Sequence, residues 1–257
     1  MSSLTWENDQ FVSIATINRP PANALASQLI EEIDQWLTAV EGDQDVRVLL
    51  IHGEGRFFSA GADIKEFTGI KDGASFSELA RRGQRVFERM ESFSKPIIAS
   101  IHGAALGGGL ELAMGCHIRY VSETAKLGLP ELQLGLVPGF AGSQRLPRYV
   151  GFAKAAEMLL TSEPITGTEA VQFGLANKAF SEEEVFDKSK ALALKIAVKS
   201  PISVKAALDL LQYAKRAEFD KGVNAEADWF GEVFTSSDAK EGIEAFIQKR
   251  TPVFKGE

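Results

Sequence analysis

The chain of 257 residues has a single cysteine, Cys116, no long apolar run and no excess of positive charge. One cysteine excludes a disulfide within the chain and is typical of proteins from a reducing compartment, so a cytoplasmic location is expected. The net charge of −7 argues against broad binding to nucleic acid or anionic lipid, because both need a surface rich in Lys and Arg. An anionic ligand would therefore need a local cationic patch.

The sequence also lacks the signals of export and of membrane insertion. Its start carries Glu7 and Asp9 and has neither the basic beginning nor the apolar core of a secretory signal. The strongly apolar stretches, such as Pro96–Ile101, are far shorter than the roughly 20 residues that span a bilayer. Neither an exported protein nor an integral membrane protein is expected.

Strand and helix patterns alternate in the first half of the chain. Phe11–Ile17 and Val46–Ile51 are rich in β-branched and aliphatic residues, and Leu29–Val40 repeats apolar residues at helical spacing. A second helix is predicted around Phe76–Met90, followed by a buried strand at Lys95–Ile101. This alternation predicts an α/β fold with parallel strands.

From about residue 139 onward the pattern is mainly helical. Helices are predicted at Ala153–Leu160, Thr168–Phe173, Glu182–Ala197, Val204–Ala217, Ala225–Phe234 and Ala239–Gln248. Thr166 and Ser181 each precede a Glu by three residues, a spacing that predicts helix N-termini with capping boxes. Because Ser200-Pro201 is the clearest break, the chain is predicted to divide into a core, residues 1–200, and a helical region, residues 201–257.

Several short patterns fail the requirements of common cofactor sites. Gly107-Gly108-Gly109 is not followed by the Lys-Ser/Thr of a phosphate-binding loop, and Gly53-Glu54-Gly55 lacks the third glycine of a dinucleotide site. The histidines His52, His102 and His117 do not have metal-ligand spacing. No metal site is expected.

The most informative stretch is His102–Met114, where a buried strand passes through a glycine-rich turn into a helix. Free N–H groups at a helix start, with the positive end of its dipole, stabilise an oxygen that gains negative charge. Glu111 lies three residues after Gly108, on the same side of the helix as the turn. A carboxylate among apolar neighbours is paired, hydrated or functional, although Glu111 taken alone also fits a solvated first helical turn.

Two further stretches combine polar groups with small or apolar residues. Residues 56–66 place small residues before Lys65, a cation suited to phosphate, although an ordinary connection with a solvated lysine fits as well. Residues 127–139 are apolar apart from Glu131 and Gln133. Two carboxylates in different protonation states can act as acid and base, but sequence spacing leaves open whether Glu111 and Glu131 meet.

Together these stretches resemble the crotonase, or enoyl-CoA hydratase/isomerase, family over essentially the whole chain. The motifs occur in the family's order: Ser59-Ala-Gly-Ala-Asp-Ile-Lys65, Gly103-Ala-Ala-Leu-Gly-Gly-Gly-Leu-Glu111, Pro130-Glu131, and Pro138-Gly139 followed by Gln144-Arg145-Leu146. The resemblance implies a crotonase-like spiral of ββα repeats that makes two nearly perpendicular sheets. It also implies that residues 201–257 form a helical region that drives assembly into a homotrimer or a hexamer of two trimers.

The resemblance further implies an acyl-CoA site. The backbone N–H groups of Ala62 and Gly108 would form the oxyanion hole for the thioester carbonyl. The residues that match CoA-binding positions of the family are Ala60, Ala62, Asp63, Ile64, Lys65 and Lys249. Lys65 would lie near the CoA phosphates, and Lys249 would reach the CoA of a neighbouring subunit. Coenzyme A would be part of the substrate, so no separate cofactor is expected.

Glu111 and Glu131 match the two glutamates of the family's hydratases, with Glu111 expected as base and Glu131 as acid. The resemblance thus implies an enoyl-CoA hydratase of fatty acid beta-oxidation or related acyl-CoA catabolism. The alternatives are an isomerase or another acyl-CoA enzyme of the family, and a non-catalytic RNA-binding member, which the acidic balance disfavours. Two residues depart from the family pattern: Ala26 stands where Asn is frequent, and Phe140 replaces a smaller residue, which predicts a reshaped acyl pocket.

Overall fold

The computed structural model describes residues 2–67 and 72–257. Its strands are β1 (Leu4–Asp9), β2 (Val12–Ile17), β3 (Val48–Gly53), β4 (Ile97–Ile101), β5 (Ala104–Leu106), β6 (Ile118–Ser122), β7 (Lys126–Gly128), β8 (Ile165–Thr166) and β9 (Lys178–Phe180). Its helices are α1 (Ser27–Glu41), α2 (Ile64–Phe67), α3 (Gly73–Glu91), α4 (Gly108–Gly115), α5 (Gly142–Thr161), α6 (Gly167–Gln172), α7 (Val185–Ala197), α8 (Pro201–Lys215), α9 (Phe219–Thr235) and α10 (Ser237–Gln248). No helix in these two ranges is long and apolar enough to cross a membrane.

The strands form two sheets. The larger has the order β1-β2-β3-β4-β6-β9, with β1 antiparallel to β2 and the remaining pairs parallel. The smaller has the order β5-β7-β8, with β5 parallel to β7. In β4-β5-α4 and again in β6-β7-α5, one strand joins each sheet before the chain turns into a helix. These units are the ββα repeats that the family resemblance implied, and the predicted α/β fold is confirmed.

The larger sheet is covered on both faces, which explains why β3 and β4 are almost continuously apolar. Leu49 and Ile51 belong to the main core, together with Trp36 of α1. Val48 and Leu50 point to the opposite face, where they join a second apolar cluster with residues of α7. Because successive strand residues alternate between faces, all positions from Val48 to Ile51 had to be apolar.

Several strands were not predicted from the sequence, and one capping prediction is wrong. The edge strand β1 was missed, because its outward positions are polar and a half-exposed edge gives a weak pattern. The late strands β8 and β9 are only two and three residues long, too short for periodicity to detect. Ser181 does not cap a helix: its hydroxyl donates to Glu184, and α7 begins at Val185. The capping box at Thr166 and Glu169 is confirmed.

The helices after Pro201 pack less closely than those of the preceding part. Among the described residues, α9 has no buried side chain. The apolar residues exposed on α8, α9 and α10 are Leu211, Phe219, Val223, Phe230, Phe234, Ile243, Phe246 and Ile247. Exposed apolar residues that form one large patch commonly mark an interaction surface.

Candidate active site

A cavity lies between residues 56–66, residues 127–139 and the glycine-rich turn before α4, which are the three stretches identified in the sequence. Its polar lining comes from Glu111 and Glu131 and from backbone groups of Gly61, Ala62, Gly107 and Gly108. Its apolar lining comes from Ile64, Phe76, Leu79, Ala80, Leu134, Leu136, Val137 and Phe140. The three stretches therefore meet in space around an apolar chamber with a few convergent polar groups, as ligand sites do.

Glu111 lies in the first turn of α4, a helix in which every side chain is buried. The residue is only 1% exposed, and its Oε1 accepts hydrogen bonds from the backbone N–H of Phe140 at 2.8 Å and of Gly142 at 2.7 Å. Burial raises the pKa of Glu111 to about 7 and the charge of Glu131 adds to the rise, whereas the two N–H donors and the charge of Arg145 oppose it. Glu111 therefore exchanges protons near neutral pH.

Glu131 begins a 3₁₀ turn that spans Glu131–Leu134 and follows Pro130. Its Oε1 lies against Gly107, 3.1 Å from where a Cβ would stand on that glycine. Its Oε2 is buried and has no hydrogen-bond partner within the described part of the chain. Burial raises the pKa of Glu131 as well. A buried oxygen without a hydrogen-bond partner is unusual, because buried polar atoms are nearly always satisfied. Oε2 of Glu131 is therefore available to a substrate or a water.

Two backbone N–H groups lie side by side at the start of α4. Gly108 is the first residue of the helix, so its N–H has no acceptor in a preceding turn. The amide nitrogen of Ala62 is 3.3 Å from where a Cβ would stand on Gly108, because Leu25 bonds to Gly61 and Asp63 and holds the loop against the helix. This arrangement suits an oxygen that becomes negatively charged, since both nitrogens lie close together at the positive end of the helix dipole and both residues line the cavity.

The residues predicted for CoA binding are divided between this cavity and its surroundings. Ala60, Ala62 and Ile64 line the cavity, whereas Asp63 and Lys65 lie beside it. The carboxylate of Asp63 forms an ion pair with Arg19 at 2.5 Å. Lys249 follows the last turn of α10 and is not among the lining residues of the same chain. The ion pair of Asp63 thus stabilises the loop, and Lys249 lies outside this cavity of the single chain.

The sequence reasoning missed the loop that holds Glu111. Gly142 must be a glycine, because a Cβ there would stand 2.8 Å from Oε1 of Glu111. Arg145 is 5% exposed and donates from Nη1 to the carbonyl oxygen of Phe140 at 2.7 Å. The signal in the sequence was the family motif Pro138-Gly139 followed by Gln144-Arg145-Leu146, which marks this stretch without indicating that it contacts Glu111.

Comparison with known proteins agrees with this geometry. The family model described as enoyl-CoA hydratase/isomerase matches residues 7–257. A probable enoyl-CoA hydratase of Bacillus subtilis is 58% identical over 258 residues, which cover 100% of both chains. A short-chain-enoyl-CoA hydratase of Clostridium acetobutylicum is 38% identical and covers 97% of this chain and 96% of its own. The crystal structure of an enoyl-CoA hydratase from Bacillus anthracis superposes with a TM-score of 0.95 at 34% identity, covering 99% of this chain and 100% of that one.

Proposed function

The chain belongs to the enoyl-CoA hydratase/isomerase family, and we propose that it adds water reversibly to the 2,3 double bond of a trans-2-enoyl-CoA. The product is the 3-hydroxyacyl-CoA, and the enzyme class is enoyl-CoA hydratase. The observation that carries the proposal is that two carboxylates, the buried Glu111 and the half-buried Glu131, line one cavity together with Ala62 and Gly108. Hydration needs a base for the water, a proton for the substrate and a site for developing negative charge.

The thioester carbonyl accepts hydrogen bonds from the N–H groups of Ala62 and Gly108. As water attacks C3, negative charge moves onto this oxygen, and the donors stabilise the enolate more strongly than the ground-state carbonyl. Because Gly108 is buried in α4 and the residues on either side of Ala62 are hydrogen-bonded to Leu25, neither donor has to reorganise during the reaction. The substrate therefore binds with its C2 and C3 atoms next to the carboxylates.

We assign Glu111 as the base and Glu131 as the acid. The two N–H donors on Oε1 of Glu111 favour its carboxylate form and leave Oε2 for the water. The buried, unpartnered Oε2 of Glu131 is stable when protonated and can then donate its proton at C2. Burial raises the pKa of both groups, so each carboxylate holds a proton at higher pH than a solvated glutamate does.

Crotonyl-CoA hydration tests this function. Loss of the absorbance of the conjugated enoyl thioester, with chromatographic identification of 3-hydroxybutyryl-CoA, is the expected result. An enzyme that moved the double bond of a 3-enoyl-CoA but added no water would instead be an isomerase. A chain that bound RNA and left both thioesters unchanged would be the non-catalytic alternative.

The acyl group is proposed to be short, because Phe140 closes one end of the cavity. Its ring lies directly on Gly83 of α3, meets Phe87 edge to face at 5.4 Å, and reaches within 3.2 Å of the Cβ position on Gly108. The ring is 6% exposed and cannot turn away without leaving this packing. Relative rates for crotonyl-CoA and octenoyl-CoA test the proposal, with a strong preference for the shorter thioester expected.

Assembly and cellular setting extend the proposal. The exposed apolar residues of α9 and α10 are proposed to pack between subunits in a homotrimer or a hexamer of two trimers, which would also bring Lys249 to the CoA of a neighbour. Sedimentation velocity at micromolar concentration decides this: a monomer with full hydratase activity would contradict it. We place the enzyme in the cytoplasm, in fatty acid beta-oxidation or related acyl-CoA catabolism, because its substrate is an activated enoyl thioester.

A further inference from the structure

The carboxylate of Glu111 is held by a separate loop as well as by its own helix. The loop, residues 138–142, supplies both N–H donors to Oε1, from Phe140 and Gly142. Ala141 lies between the two donors with a φ of 68°, a backbone conformation that residues with a side chain rarely adopt. The position of the carboxylate thus depends on contacts that keep this loop in its unusual conformation.

Arg145, in the first turn of α5, supplies one such contact. Its Nη1 donates to the carbonyl oxygen of Phe140 at 2.7 Å, while the backbone N–H of Phe140 donates to Oε1 of Glu111. The Nε and Nη2 atoms of Arg145 are each 3.1 Å from Oε2 of Glu91, the last residue of α3. Because the guanidinium is planar and is fixed by two atoms at one end, it holds the Phe140 peptide in one orientation.

Glu91 in turn joins this site to the first helix of the C-terminal region. Its Oε1 pairs with Nζ of Lys215, the last residue of α8. Its backbone carbonyl accepts a hydrogen bond from Nε2 of Gln212 at 2.8 Å. The Glu91 side chain is 13% exposed and that of Lys215 is 23% exposed, so solvent screens these contacts only partly.

We propose that Arg145 and Glu91 are positioning residues for Glu111, and that Lys215 and Gln212 couple this arrangement to the helices after Pro201. The path runs from Lys215 through Glu91 and Arg145 to the Phe140 peptide, and from there to the carboxylate. Its consequence is that the C-terminal helices, whose apolar faces are exposed in the single chain, influence the geometry of the base. This inference rests on the proposed hydratase function.

The decisive variant is Arg145→Met, which keeps the bulk and removes both the donors and the charge. We expect kcat to fall by about 10-fold to 100-fold, because a base displaced by a fraction of an ångström reacts poorly, while KM changes little since Arg145 does not line the cavity. The acidic limb of the kcat/KM profile should move to higher pH. The charge of Arg145 lowers the pKa of Glu111, and removing it leaves burial and the charge of Glu131 opposed only by the backbone donors.

Arg145→Lys separates the charge from the geometry. The lysine keeps the positive charge but cannot bind Phe140 and Glu91 together, so kcat should fall while the acidic limb stays near its parental position. This variant also decides the question if Arg145→Met does not fold. Lys215→Met should lower kcat by a smaller factor than Arg145→Met, and the two changes combined should cost less than the product of their separate effects, because both act along one path.

Arg89→Met is the matched control. Arg89 lies on the same helix as Glu91, is 28% exposed and pairs with Asp34 and Glu41 of α1, away from the loop. It should change stability without changing kcat or the pH profile. If the parental enzyme hydrates crotonyl-CoA and Arg145→Met or Arg145→Lys matches the Arg89→Met control, the positioning role is wrong. If the parental enzyme hydrates no enoyl-CoA, the proposed function itself is wrong.

Discussion

Replacing Glu111 by Gln should move activity and stability in opposite directions. Oε1 of the glutamine can still accept the hydrogen bonds from Phe140 and Gly142, so the fold of the loop should persist. The amide cannot take a proton from water. We therefore expect kcat for crotonyl-CoA hydration to fall by about 10²-fold to 10⁴-fold, the usual contribution of a positioned acid or base.

The stability gain follows from the pKa of Glu111. A carboxyl group whose pKa is higher in the folded than in the unfolded chain destabilises the fold at every pH at which the group would be ionised in the unfolded chain. That cost is absent below about pH 4.5, grows as the pH rises, and is complete above about pH 7. A rise from 4.5 to about 7 corresponds to about 3 kcal/mol, at roughly 1.4 kcal/mol for each pKa step of one.

The assay compares the free energy of unfolding of the parent and Glu111→Gln by urea denaturation at pH 5 and pH 8, at one protein concentration because assembly contributes to stability. The difference between the two proteins should be larger by about 2–3 kcal/mol at pH 8 than at pH 5, with the glutamine variant the more stable. Glu183→Gln, at an exposed position, is the control and should change neither quantity. A variant with the parental pH dependence would refute the pKa argument, and one with near-parental hydration would refute the assignment as base.

Three other changes test the site. Glu131→Gln should also lower kcat by about 10²-fold to 10⁴-fold, and the double variant with Glu111→Gln should lose less than the product, because both groups act on one water. Gly108→Val should cost about 10²-fold or more in kcat/KM, since its Cβ would already stand 3.3 Å from the Ala62 nitrogen; normal turnover by a folded variant would exclude the oxyanion hole. Phe140→Ala should raise the kcat/KM of octenoyl-CoA relative to crotonyl-CoA by about 10-fold or more, as each buried CH₂ contributes about 0.8 kcal/mol; an unchanged ratio would show that the ring does not limit the acyl chain.

The sequence predicted those helices and strands that are specified by the spacing of neighbouring residues. The apolar spacing of α1 and the buried run of β4 follow from periodicity, and Thr166 with Glu169 forms the capping box that its spacing predicted. The glycine-rich turn before α4 was recognisable because only a short side chain allows a ligand to approach a helix start. The family resemblance then implied what those elements do, since its motifs are specific in combination.

Only the tertiary structure decided which groups meet. Glu111 and Glu131 are 20 positions apart on different elements, and they share a cavity because the carboxylate of Glu131 lies against Gly107, the residue before α4. Glu91 and Arg145 are 54 positions apart, and their contact to the Phe140 peptide has no trace in periodicity or spacing. The pKa of Glu111 follows the same rule, because burial and the charges of Glu131 and Arg145 arise only when distant segments have packed. Local patterns record the conformational preference of neighbouring residues, whereas a site is made by contacts between segments that no local pattern encodes.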